Sequence, residues 1–92
     1  MNKAEALKML DEQLASFRAM PYDDLTTLID SEPTTGEVSG PSNKKVQYEI
    51  EVLWDDKPGG NVRVIGNIDD GGWRAYFPLG NDFIKSPDNT TY

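Results

Sequence analysis

Leu7, Leu10, Leu14 and Phe17 recur at steps of three, four and three near the start of the chain. This spacing places them on one face of an α-helix, and Lys8, Asp11, Glu12 and Arg18 fall largely off that stripe. Asn2 followed by Glu5 has the shape of a capping box, with Asn in place of the usual Ser or Thr. Pro21 stops or restarts the helix and suits the first position of a second, short one. Asp23 and Asp24 then lie in its first turn, where carboxylates complement the helix dipole. Tyr22, Leu25, Leu28 and Ile29 give this short helix an apolar side of its own.

The period then changes. "SEPTTGEVSGPSNK", residues 31–44, is a linker with at most a weak edge strand over Thr35–Ser39. In "KVQYEIEVLWD", Val46, Tyr48, Ile50, Val52 and Trp54 alternate with Gln47, Glu49, Glu51 and Leu53, the pattern of a strand covered on one face. "NVRVIGNID" continues it, with Val62, Val64, Gly66 and Ile68 on one side and Arg63, Ile65 and Asn67 on the other. "WRAYFPL" reads as the next strand: Trp73, Ala75 and Phe77 alternate with Arg74, Tyr76 and Pro78, and Pro78 marks an end or an outer edge. Asp70-Gly71 is a suitable two-residue hairpin turn, because both central positions of a type I′ turn need positive φ. With that turn Ile68 faces Trp73, Gly66 faces Ala75 and Val64 faces Phe77, though a shift by two residues would keep the same faces. Between Trp54 and Val62, matching faces require an odd number of loop residues, and Pro58 and Gly59 shape that loop. One such register sets Glu51 opposite Arg63, an exposed pair contributing roughly 0–1 kcal/mol.

The expected fold is therefore α+β: an N-terminal helix and a short second helix packed on one face of an antiparallel meander of three or four strands. The expected organisation is a single domain over 1–92, with 1–30 helical, 31–44 a linker or weak edge strand, 45–80 the meander and 81–92 a tail. Phe83 and Ile84 would anchor that tail before it frays.

Composition narrows the chemistry. The 92 residues hold neither Cys nor His. That excludes disulfides, thiolate and imidazole metal sites, a cysteine nucleophile and any Ser-His-Asp triad. The net charge of −7 is shared by both halves and leaves no basic patch, which disfavours nucleic acid. No apolar run approaches membrane-spanning length, and the amphipathic, acid-bearing N-terminus has no signal core, so the expected location is cytoplasmic. "NTT" at Asn89–Thr91 matches a glycosylation sequon that has no secretory signal to give it meaning.

Each remaining motif has a plain reading beside its functional one. Asp55, Asp56, Asp69 and Asp70 could suggest calcium. In a meander, however, successive turns lie at opposite ends of the middle strand, about 23 Å apart for seven residues, and neither has EF-hand spacing. Glu49 and Glu51 share a strand face about 6.6 Å apart, within the loose range of an inverting glycosidase pair, but on an open sheet they lack the burial that separates pKa values. Both "GG" pairs lack a phosphate-binding context. Trp54 and Trp73 fall on the core side and read as packing rather than stacking platforms. No cofactor and no metal are expected.

The outer sheet face is more informative. Leu53, Ile65 and Tyr76 form an apolar stripe there, rimmed by Arg63, Arg74, Glu49 and Glu51. An apolar strip within a charged rim is a common contact surface, and Tyr and Arg often dominate binding energy. The plain alternatives are that single exposed apolar residues are normal, or that Phe83 and Ile84 fold over the stripe.

The stretch "YEIEVLWDDKPGGNVRVIGNIDDGGWRAYFPLGNDFIKSPD", Tyr48–Asp88, resembles small bacterial proteins of unassigned function through its "WDD", "IDDGGWRA" and "DFI…PD" elements. The resemblance covers about the C-terminal half and implies a bacterial, standalone protein; it brings no site residue with it. The functional expectation is a non-enzymatic interaction module. Leu53, Arg63, Ile65, Arg74 and Tyr76 would contact a protein partner or a second copy, and not nucleic acid or membrane. A carboxylate-dependent enzyme or a divalent-cation binder is the alternative.

Overall fold

A computed structural model describes residues 3–39, 45–69 and 79–92. Helix α1 spans Lys3–Arg18 and α2 spans Tyr22–Thr26. Four strands follow, β1 Thr34–Ser39, β2 Lys45–Trp54, β3 Val62–Asp69 and β4 Leu79–Lys85. They form one antiparallel sheet in sequence order, β1-β2-β3-β4. The α+β class and the weak edge strand at β1 are as the pattern predicts. Asn2, the expected capping residue, lies outside the described residues.

The core lies between the helices and one sheet face. Ala6, Leu10, Leu14 and Phe17 of α1 and Leu25 of α2 are buried against Val46, Ile50, Val52, Val62, Val64, Ile68 and Phe83. α1 lies over β3 and β4, and α2 touches β2 and β3. The buried arc of α1 is rotated from the expected one: Ala6 is inside, whereas Leu7 is 36% exposed. The arc centres on Leu10, and at 100° per residue Leu7 stands about 60° from it while Ala6 stands about 40° away on the other side. Pro21 precedes the second helix as its N-cap, one position earlier than expected.

Helix α1 packs tightly over Gly66 of β3. A Cβ there would stand 2.9 Å from Leu10 Cδ1 and 3.2 Å from Leu14 Cδ2. Because both leucines are fully buried, Gly66→Ala should destabilise the fold by about 1–3 kcal/mol through overpacking. Urea unfolding of the variant checks this.

The β2–β3 loop meets its expectation. Trp54 pairs with Val62, so the loop has an odd number of residues, 55–61. The Asp55 N–H donates to the Asn61 carbonyl at 2.8 Å and the Gly60 N–H to the Lys57 carbonyl at 3.0 Å. Gly59 supplies the positive φ, +85°, that the reversal needs. Tyr22 ties this loop to α2 by donating its hydroxyl to the Gly60 carbonyl at 2.7 Å.

The partner of β3 differs from the expected strand. Ile68 pairs with Leu79, Gly66 with Asn81 and Val64 with Phe83, in place of Trp73, Ala75 and Phe77. Residues 70–78 separate β3 from β4; the expected turn at Asp70-Gly71 and Trp73, Arg74, Tyr76 and Pro78 lie outside the described residues. β4 satisfies the core in a way that simple alternation conceals. Leu79 and Phe83 supply apolar surface, while Lys85, at 4% exposure, sends its ammonium to the Arg18 carbonyl at 2.5 Å and the Met20 carbonyl at 2.8 Å. A cation at the C-terminus of α1 complements both its free carbonyls and its dipole.

Residues 86–92 do not fray. The Asn89 N–H donates to the Ser86 carbonyl and the Ser86 N–H to the Thr90 carbonyl, each at 2.9 Å. Pro87 sits second in this turn, and Asn89 takes φ 70°. Thr91 bridges to Lys85, and Tyr92 exchanges backbone hydrogen bonds with Ile84, so the chain's end pairs with the last residues of β4. Asn89 Oδ1 also accepts the Tyr22 N–H at 2.8 Å, satisfying a donor at the start of α2 that has no local side-chain cap.

Asp88 Oδ1 accepts from the Ser86 hydroxyl and from the Thr90 N–H. These bonds, Ser86 first, hold its pKa near 2 rather than the ordinary 3.8. A depressed carboxylate stabilises the fold above its unfolded pKa and loses that effect as pH falls through the folded value. The 86–90 turn should therefore open between about pH 4 and pH 2. Protection of the Thr90 amide, its exchange rate relative to that of an unstructured amide at the same pH, should fall over that window in the natural chain and be low throughout in Asp88→Ala.

Candidate functional site

Strand alternation assigns the sheet's outer face without ambiguity. With Val52, Val62 and Phe83 inward, Leu53, Arg63 and Ile84 stand side by side on the outside. The next row is Glu51, Ile65 and Asp82, and the one after it Glu49, Asn67 and Gly80. Leu53 and Ile84 flank Arg63 and each lies diagonal to Ile65, and all three apolar residues are half-buried; Glu49, Glu51 and Asp82 around them are exposed.

Three of the five expected contact residues, Leu53, Arg63 and Ile65, thus share one surface, and Arg74 and Tyr76 lie outside the described residues. Ile84 joins the surface as part of β4 rather than as a tail folded across it, and Phe83 points the other way into the core. A period-two reading extended past Leu79 would have found Ile84, but Gly80, Asn81 and Asp82 resemble a turn more than a strand.

Arg63 is fixed. Its Nε and Nη2 both lie 2.7 Å from Asp55 Oδ1, and Nη1 bonds Asp82 Oδ2. The Asp55 hydrogen bond is the main reason that the guanidinium's pKa is raised; desolvation opposes it, and the charges of both carboxylates add to it. The expected Glu51–Arg63 pairing is not formed, because the register puts Glu51 opposite Ile65 and Leu53 opposite Arg63. Arg63 instead ties the start of the β2–β3 loop to β4. It presents an ordered fork whose side-chain freedom is already restricted before any partner arrives.

The other candidate groups are differently placed. Glu49 and Glu51 are both exposed on the open face of β2. Asp55 is committed to Arg63. Among the described residues no group of three or more Asp or Glu side chains is arranged to hold a metal ion. No described helix is long and apolar enough to cross a membrane. No protein-family model, curated protein or solved structure matches the chain.

Proposed function

We propose that this chain is a non-enzymatic interaction module. It binds a basic protein partner through the outer face, with Leu53, Ile65 and Ile84 as the apolar centre and Arg63 as an ordered polar contact. Arg74 and Tyr76 remain part of this proposal on sequence grounds. One observation carries the reading: both helices pack on the inner face, and among the described residues no helix or strand lies over the outer one. The charge argues for a basic partner. Glu49, Glu51 and Asp82 rim the apolar centre, and the whole chain carries −7. The same charge opposes self-association by like-sign repulsion. The resemblance of Tyr48–Asp88 to small bacterial proteins adds a bacterial cytoplasm as the proposed setting.

Ile65→Lys puts a cation at the centre of the apolar group without touching the core. It should weaken partner binding at least about tenfold, or ~1.4 kcal/mol, while changing stability by less than about 1 kcal/mol. The partner is first isolated on the natural chain from a host extract, then purified and titrated against both forms by calorimetry. Equal affinity for the two forms would remove the outer face from the reading.

A further inference from the structure

The two edges of the sheet are finished differently. Beyond the end of β4, Tyr92 takes both outward backbone groups of Ile84, and the Thr90 carbonyl accepts the Ser86 N–H. Beyond β1, no strand lies among the described residues, and Thr34–Ser39 pairs on its β2 side alone. Exposed edges are commonly protected by proline, lysine or a bulge. β1, "TTGEVS", has no proline or lysine and pairs with β2 residue for residue.

The side chains around this edge have a definite chemistry. Glu37 stands on the outer face of β1, and Glu49 stands one strand further in, opposite the short Thr35; both acids are exposed. Lys45 lies 3.9 Å from Glu37 with both side chains largely in solvent, so it neutralises little of that charge. On the inner face Val38 and Tyr48 are half-buried. The Tyr48 ring lies over Gly36, where a Cβ would come 2.5 Å from its hydroxyl.

We infer that β1 is a strand-acceptor edge for an extended, basic segment of another protein. The segment's backbone pairs with β1. Its Lys or Arg side chains on one face reach Glu37 and, across Thr35, Glu49, and its apolar side chains on the other face rest beside Val38 and Tyr48. A second copy of this chain is a poor occupant, since it would bring another net −7 and another Glu37 to the same edge. β1 borders β2 only from Lys45 to Ile50, away from Leu53, so the edge shares Glu49 with the rim of the outer-face surface but none of its apolar centre.

The test uses the intact, isotope-labelled chain and a synthetic ten-residue peptide of alternating valine and lysine, with a valine–glutamate peptide as control. Added as a strand, the basic peptide should slow hydrogen exchange at alternate amides within Thr34–Ser39 at least tenfold. The acidic peptide should bind at least tenfold more weakly, and Glu37→Lys combined with Glu49→Lys should reverse that preference. These acids are exposed, so the double variant keeps its core. Equal protection by both peptides, or no alternating protection in β1 at millimolar basic peptide, would overturn the inference. So would amide shifts confined to Leu53, Ile65 and Ile84, a result that would favour the outer-face reading alone.

Discussion

Phe83→Ala is expected to destabilise the chain by about 3–5 kcal/mol, the range for removing a buried ring and leaving a cavity. Phe83 is 3% exposed, stands opposite Val64 and has the Arg18 guanidinium 5.4 Å from its ring centre. A domain of this size has a total stability of about 5–14 kcal/mol, so the variant should lose a large part of its folded population on mild heating. Calorimetry measures it. An exposed residue outside the core would change stability by no more than about 0.5 kcal/mol, so a core Phe83 and an exposed one predict results that do not overlap.

Lys85→Met should cost about 2–3 kcal/mol, although methionine suits a buried position. The ammonium donates to the carbonyls of Arg18 and Met20 at the end of α1. Hydrogen bonds from a charged donor contribute about 1.5–3 kcal/mol, and the carbonyls left behind would lose their partner. Lys85→Arg separates charge from fit: it keeps the cation but not the compact ammonium geometry, and should recover only part of the loss. Denaturant unfolding of both variants gives the order natural chain, arginine, methionine. A methionine variant as stable as the natural chain would mean that the ammonium contributes nothing net.

These two residues show where the sequence was legible and where it was not. The leucine repeat, the alternation in Val46–Trp54 and Val62–Ile68 and the odd loop between them could be read directly, because each depends on local periodicity. The last strand could not. Its inward positions are Leu79, Asn81, Phe83 and Lys85, two apolar and two polar, and Lys85 is buried because α1 ends beside it. That partner is a helix terminus 65 residues or more away in sequence. The 73–79 stretch alternates more cleanly, so a purely local reading prefers it. Likewise Asn89 caps α2 across 67 residues, which no local motif announces. The outer face was legible through Leu53, Arg63 and Ile65 because β2 and β3 were. Ile84 and Asp82 were missed together with the strand that holds them.

The composition of the candidate surface therefore depends on which strand pairs with β3. Cross-strand nuclear Overhauser contacts in the isotope-labelled chain decide this most directly. With β4 at Leu79–Lys85, backbone contacts will connect Val64 to Phe83 and Ile65 to Asp82, setting Ile84 and Asp82 beside Ile65 on the outer face. Contacts from Ile68 to Trp73 and from Val64 to Phe77 would contradict the account, replacing Ile84 and Asp82 at this surface with Tyr76 and Arg74.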